Sequence, residues 1–137
     1  MKNNMSKKES IAWAAGIFEG EGCISLIRHK QKNYISNRAM LCVTNTDLDI
    51  LIKFREILGI GYVRPLKTTK LSQGRKQLYR WIATSFDEFD EAIKILKPFM
   101  SNKRLSKLEK VLSERTPRKY SSERAQCRIR PKEIIKI

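Results

Sequence analysis

The sequence has a single histidine, three cysteines and about half as many acidic residues as basic ones. The lone histidine, His29, rules against nucleases built on several histidines. It also rules against Ser-His-Asp and Cys-His arrangements, since nothing pairs with it at a recognisable spacing. Cys23, Cys42 and Cys127 are far apart, odd in number and form no CxxC pair, so neither a disulfide framework nor a zinc knuckle is supported; they read as ordinary thiols of a reducing compartment. No apolar run approaches the roughly 20 residues needed to cross a bilayer. The opening "MKNNMSKKES" leads into a patterned helix without the apolar core of a signal peptide, so a soluble, intracellular protein with no membrane partner is expected.

The shortage of acids leaves 29 Lys and Arg against 14 Asp and Glu, a net charge of +15. So large an excess on 137 residues favours a polyanionic partner, because each neutralised phosphate releases condensed counterions. Nucleic acid is the first expectation. RNA-binding proteins share this composition, so charge selects a partner class and says nothing of chemistry.

Periodicity gives the order of elements. "SKKESIAWAAGIFEGEG" opens with a capping-box pattern from Ser6 to Glu9 and is stopped by the glycines at 20 and 22, which predicts a first helix. In "CISLIRHK" and "ISNRAMLCVTN" apolar residues recur every second position, as two strands joined by a turn around Lys32 to Tyr34 would require. From Thr46 to Leu58 the period becomes helical, with Asp47 and Asp49 near the start and Gly59 as the cap. A second strand pair follows in "GYVRPLKTT" and "RKQLYRWIAT", with Pro65 marking an edge or a bulge. "SFDEFDEAIKILKPF" repeats the Ser-x-x-Glu start at Ser85, and "SNKRLSKLEKVLSER" makes a last helix before Pro117. The order is αββαββαα, an α+β fold in which four strands form one antiparallel sheet with helices on one face. Residues 1–115 are expected to form the domain, and the basic stretch 116–137 an extension with little structure of its own.

The end of the first helix is unusual. Ala12, Gly16 and Gly20 recur every fourth residue with Ala15 beside them, a stripe that permits close approach of another helix. By spacing alone that helix could belong to the same domain, and "EGEG" alone could be a solvated turn. Taken together they fit a different arrangement. If two copies of the helix cross about a two-fold axis, two Glu21 carboxylates meet where the helix dipoles are already negative, and a hard cation such as Mg²⁺ relieves the repulsion.

"AAGIFEGEG", residues 14–22, resembles the LAGLIDADG signature of homing endonucleases. Ala15, Gly16 and Gly22 match it, Ile17 and Phe18 keep its apolar positions, Glu19 and Glu21 replace its two aspartates, and Ala14 departs from its leading leucine. A single copy of the motif resembles the members that act as homodimers. The resemblance implies a site-specific endonuclease that binds a long near-palindromic double-stranded DNA site and hydrolyses one phosphodiester per strand, leaving 3′ overhangs. It implies Mg²⁺ or Mn²⁺ held by Glu21 and Gly20, no small-molecule cofactor, and a supporting role for Glu19 at the helix end. Asn45 in "VTN" is similar to a residue that orders the water network, and Lys103 in "KPFMSNKR" to a lysine beside the cleaved phosphate, with Arg104 as the alternative. As plain structure, Asn45 is a turn residue and Lys103 a solvated first-turn lysine. An RNA maturase or a non-cleaving nucleic-acid-binding protein is the alternative function.

Strand alternation assigns a recognition face, since a twisted antiparallel ribbon fits the major groove and offers every second side chain to base edges. With Ile24, Leu26, Ala39, Leu41, Val43, Val63, Tyr79 and Trp81 inward, the outward set includes Ser25, His29, Gln31, Ser36, Arg38, Arg64, Lys76 and Arg80. Ile27, Met40 and Cys42 fall outward in the same register. Arg118 and Lys119 are expected to add phosphate contacts from the extension.

Overall fold

Each helix starts where a side chain answers the backbone donors that the helix itself leaves open. In the computed structural model, which describes residues 5–67 and 74–117, the first helix α1 (Lys7–Glu21) begins with the full capping box. The Glu9 amide donates to Ser6 Oγ at 3.2 Å, and the Ser6 amide donates to Glu9 Oε1 at 3.1 Å. These bonds to Ser6 hold the Glu9 carboxyl below its ordinary pKa. Strands β1 (Gly22–Gln31) and β2 (Tyr34–Asn45) form a long hairpin through Lys32 and Asn33. Asp47 caps α2 (Leu48–Leu58), and Gly59 ends it with φ 74°, the left-handed backbone that favours glycine.

Strands β3 (Tyr62–Pro65) and β4 (Tyr79–Ala83) complete an antiparallel sheet in the order β1-β2-β4-β3, so Pro65 ends an edge strand. Helix α3 (Phe86–Leu96) runs into a 3-10 turn at Lys97–Phe99, where Pro98 stops the α-helical bonding, and α4 (Asn102–Glu114) closes the described chain. The αββαββαα order expected from periodicity is therefore the observed one. One detail differs. The Glu88 amide donates to Ser85 Oγ, but the Glu88 carboxylate does not return to the Ser85 amide. It is buried and accepts the Gly61 amide at 3.0 Å instead.

The helix-side face of the sheet carries the core. Leu41, Val43, Val63 and Trp81 are fully buried against Phe18, Leu51, Phe54 and Phe89, each contributing roughly 1.5–3 kcal/mol by leaving water. Phe54 and Trp81 meet edge to face with centroids 4.8 Å apart, and Trp81 Nε1 donates to the Ile60 carbonyl. The inward set read from alternation is the one observed, although Leu26 and Tyr79 are only half-buried.

The last described residues are held against the sheet. Thr116 donates its amide to the Asn37 carbonyl and accepts the Asn37 amide on Oγ1, while Asn37 Nδ2 reaches the Glu114 carbonyl. Arg115 pairs with Asp90 at 2.9 Å and lies over the Phe86 ring. The chain thus stays fastened to β2 and α3 past residue 115; Arg118 and Lys119 lie outside the described residues.

Candidate active site and nucleic-acid interface

The end of α1 gathers the acids and their partners. Glu21 is the last residue of α1 and is exposed. Asn45 Nδ2, at the end of β2, donates to Glu21 Oε2 at 2.6 Å. The Asn45 amide is itself fixed, because its Oδ1 accepts the Asp47 amide at 2.8 Å in an Asx turn that leads into α2. Only one Glu21 oxygen is taken by Asn45, and the other remains available for a ligand. Register explains the meeting: β1 starts at Gly22, directly after Glu21, and Gly22 pairs with Val43, two residues before Asn45.

Gly22 makes the turn from helix to strand possible. A Cβ there would overlap the Phe18 ring and carbonyl, and Phe18 is 1% exposed and held in the core. The close approach excludes any side chain at this point.

Glu19 faces the other way, toward the start of α4. Its Oε2 accepts the Ser101 amide at 3.2 Å, and its Oε1 lies 3.1 Å from Arg104 Nε. Oε1 is shielded from solvent and accepts no aligned hydrogen bond, so that contact is an ion pair. Arg104 also donates from Nη1 to the Gly22 carbonyl at 3.0 Å and from Nη2 to the Glu19 carbonyl at 3.1 Å. Lys103, one residue earlier in the first turn of α4, is exposed. Between the two cations considered for the phosphate, Arg104 is committed to α1 and Lys103 is solvent-facing. Sequence alone gave no sign of this, since both residues occupy the same first turn.

The small-residue stripe is open in part. Nothing lies within 4 Å of where a Cβ would stand at Gly16 or Gly20, and Ala12 is exposed. Ala15 does not belong with them: it is 3% exposed and packs in the core, because a residue one position from Gly16 turns about 100° around the helix. The accessible stripe is Ala12, Gly16 and Gly20.

Across the sheet, Ser25 pairs with Met40, Ile27 with Arg38, and His29 with Ser36, so these side chains share the face turned away from the helices. His29 and Arg38 are exposed, and the Ser25 and Ser36 side chains half-buried. The Gln31 side chain lies outside the described residues. On the other wing Arg64 and Arg80 stand directly opposite each other, and Arg80 Nε donates to Thr44 Oγ1 at 3.1 Å. Lys76 is exposed but precedes β4, so it sits on a loop where strand alternation does not set its direction. Cys42 and Ile82 also belong to this face by register, yet they are 6% and 2% exposed. Burial, together with the facing Cys23, pushes the Cys42 thiol pKa up. The outward face is therefore polar and basic at its wings and apolar at its centre.

A family model described as LAGLIDADG endonuclease matches residues 14–111, from the start of the motif to the last buried turn of α4. The chain belongs to the LAGLIDADG endonuclease family. Among solved structures, this LAGLIDADG chain is similar to the archaeal intron-encoded homing endonuclease I-Vdi141I complexed with DNA. The two are 19% identical with a TM-score of 0.59, over 89% of this chain and 95% of that one. It is also similar to the homing endonuclease I-CvuI, solved with the I-CreI target in the presence of Mg with the DNA not cleaved. There the identity is 20% and the TM-score 0.60, over 88% and 92% of the two chains. The group I intron-encoded I-CeuI, complexed with DNA, is 15% identical with a TM-score of 0.66, over 82% of this chain and 56% of its own. At these identities the likeness is one of fold. No curated protein matches. Among the described residues no helix is long and apolar enough to cross a membrane.

Proposed function

We propose that this LAGLIDADG chain is a site-specific homing endonuclease that binds a long near-palindromic double-stranded DNA site as a homodimer. It hydrolyses one phosphodiester in each strand and leaves 3′ overhangs. The observation that carries this function is the placement of Glu21: an exposed carboxylate, oriented by Asn45, at the end of a helix whose Ala12, Gly16 and Gly20 stripe is open. Two such helices crossing at the stripe would bring both Glu21 side chains to one centre. The DNA complexes of proteins with the same fold support the partner assignment.

The donor set fits a hard divalent cation shared between subunits. Among the described residues no group of three His, Cys, Asp or Glu side chains stands close enough to hold a metal. Mg²⁺ is commonly held by one or two carboxylates together with substrate phosphates and water, which matches one Glu21 from each protomer, joined by the Gly20 carbonyl. When bound, Mg²⁺ or Mn²⁺ lowers the pKa of a coordinated water and neutralises charge on the phosphate oxygens. Glu21 orients that ion, Asn45 fixes Glu21, and Lys103 adds positive charge beside the scissile phosphate. Glu19 supports the helix end from the side of α4.

The basic sheet wings fit the major groove. Like charges directly opposite on a ladder destabilise a sheet, and Arg64 facing Arg80 is such a pair. A bound polyanion reverses the sign of that term. Arg38, Arg64 and Arg80 are the best placed for guanine edges, while Ser25, His29, Gln31 and Ser36 adapt to several bases. Lys76, Arg118 and Lys119 contribute phosphate contacts. Two domains of this size side by side cover on the order of 20 base pairs.

The test is incubation with Mg²⁺ and duplexes containing randomised near-palindromes. Double-strand cuts by the native chain and none by Glu21→Gln are expected. Cleavage that survives this substitution removes Glu21 from the chemistry, and cleavage of both strands by a particle that sediments as a monomer removes the shared site.

A further inference from the structure

Arg104 lies outside the motif, yet it grips the end of α1 through several of its atoms at once. Its guanidinium donates to the Glu19 and Gly22 carbonyls, which bracket Glu21, and pairs with the Glu19 carboxylate. Its Cζ lies 4.9 Å from the centre of the Phe18 ring. The last carbonyls of a helix have no partner within it and carry the negative end of its dipole. Helix α1 has no basic residue in its own last turn, so the cation is supplied from α4. Ser101 anchors the arrangement from both sides: its hydroxyl accepts the Arg104 amide as the α4 cap, and its own amide donates to Glu19 Oε2.

We propose that Arg104 is a positioning residue of the cleavage site. It fastens the metal-bearing end of α1 to the first turn of α4, and it neutralises Glu19 so that Glu21 is the one acid there left to a cation. This rests on the endonuclease function proposed above. Glu19 and Glu21 are two residues apart at a negative helix end, and without Arg104 both carboxylates would compete for the ion. The same guanidinium sits next to Lys103 in the chain, so a shift of α4 relative to α1 would move the lysine and the metal site apart. The pair is shielded, with side chains 19% and 28% exposed. The exposed pair Lys94–Glu91 in α3, at 78% and 52%, serves as a surface ion-pair control that touches neither Glu19 nor Glu21 through this contact.

The experiment uses the full chain and a duplex selected from a randomised near-palindromic library by binding in Ca²⁺. Single-turnover cleavage is followed against Mg²⁺ concentration, with DNA affinity in Ca²⁺ and the thermal midpoint measured beside it. Arg104→Met keeps the apolar stem over Phe18 and loses the charge. Its cleavage rate per bound complex should fall about 100-fold, the scale set by a misplacement of about 1 Å, while DNA affinity stays within about threefold. The freed Glu19 should lower the half-saturating Mg²⁺ about threefold or more, because added ligand charge tightens binding of a hard cation. Adding Glu19→Gln should restore the Mg²⁺ dependence without restoring the rate. Arg104→Lys, which keeps the charge and loses the paired carbonyl bonds, should fold like the native chain and recover part of the rate. Lys94→Met should behave as native. If the native chain cuts and both Arg104 variants cut within threefold of it with unchanged Mg²⁺ dependence, the positioning role is overturned and the endonuclease stands. If the native chain binds the duplex and never cuts, the endonuclease function itself is refuted.

Discussion

Gly16→Gln separates the stability of the single chain from its assembly, because the two respond with opposite signs. Within one protomer the position is open, with nothing within 4 Å of an added Cβ, and it lies in the middle of a 15-residue helix. Replacing glycine by a good helix former there should stabilise the monomer by about 0.5 kcal/mol. In the dimer the same change occurs twice, once on each side of the axis. Each inserted side chain either keeps the backbones apart or buries an amide without partners, at about 1–3 kcal/mol apiece. The sum, roughly 2–6 kcal/mol, weakens the dimer at least 30-fold in Kd. Sedimentation over a dilution series gives the Kd. Thermal unfolding at concentrations where both proteins are monomeric gives the stability, which matters because association raises apparent stability by mass action. Cleavage should fall with the dimer fraction and recover at high protein concentration. An unchanged Kd would show that α1 does not meet a second α1 along this stripe, and a loss of monomer stability would show that the position is not open within the protomer.

Four further outcomes follow from the same geometry. Glu21→Gln should bind the selected duplex within a few-fold of the native chain and leave it uncut, as gel shift in Ca²⁺ and cleavage in Mg²⁺ will show. Gly22→Ala should destabilise the fold by about 1–3 kcal/mol, measured by denaturant unfolding, because the new methyl overlaps the buried Phe18. The Glu9 carboxyl titrates below its ordinary range when folded, so its contribution is present above the unfolded value and is lost as pH falls through the folded one. Glu9→Gln should therefore reduce the acid sensitivity of hydrogen exchange in the first turn of α1, and an unchanged profile would separate the cap from that sensitivity. Truncation after Thr116 keeps the bonds to Asn37 and removes the basic extension, so the slope of log affinity against log salt should flatten by about 0.9 for each phosphate that the extension neutralises. An unchanged slope means the extension leaves phosphates alone.

Local signals set most of the architecture. Ser6, Asp47, Ser85 and Ser101 each cap a helix, and Gly59 ends one, because these preferences act within a few residues and are written next to the element they start or stop. Alternation assigned Leu41, Val43 and Trp81 inward and Arg38 and Arg64 outward, since a strand has two faces and one is dry. The same rule placed Cys42 on the outward face, where the register puts it, but its burial there lies beyond what alternation reports, which is direction alone. The small-residue stripe in α1 likewise took in Ala15 beside Gly16, although one residue along the helix separates core from solvent.

The sequence by itself determined the order of elements, the basic charge and the motif that carries Glu19 and Glu21, all of which depend on composition and on spacings shorter than a turn or two. Only the tertiary structure decided that Asn45 holds Glu21 across 24 positions and that Arg104 reaches back 82 and 85 positions to Gly22 and Glu19. It also decided that Lys103, its neighbour in the chain, faces solvent. The physical reason is that side-chain pairing at long range depends on how α4 lies against the end of α1, and that placement is fixed by the core beneath them.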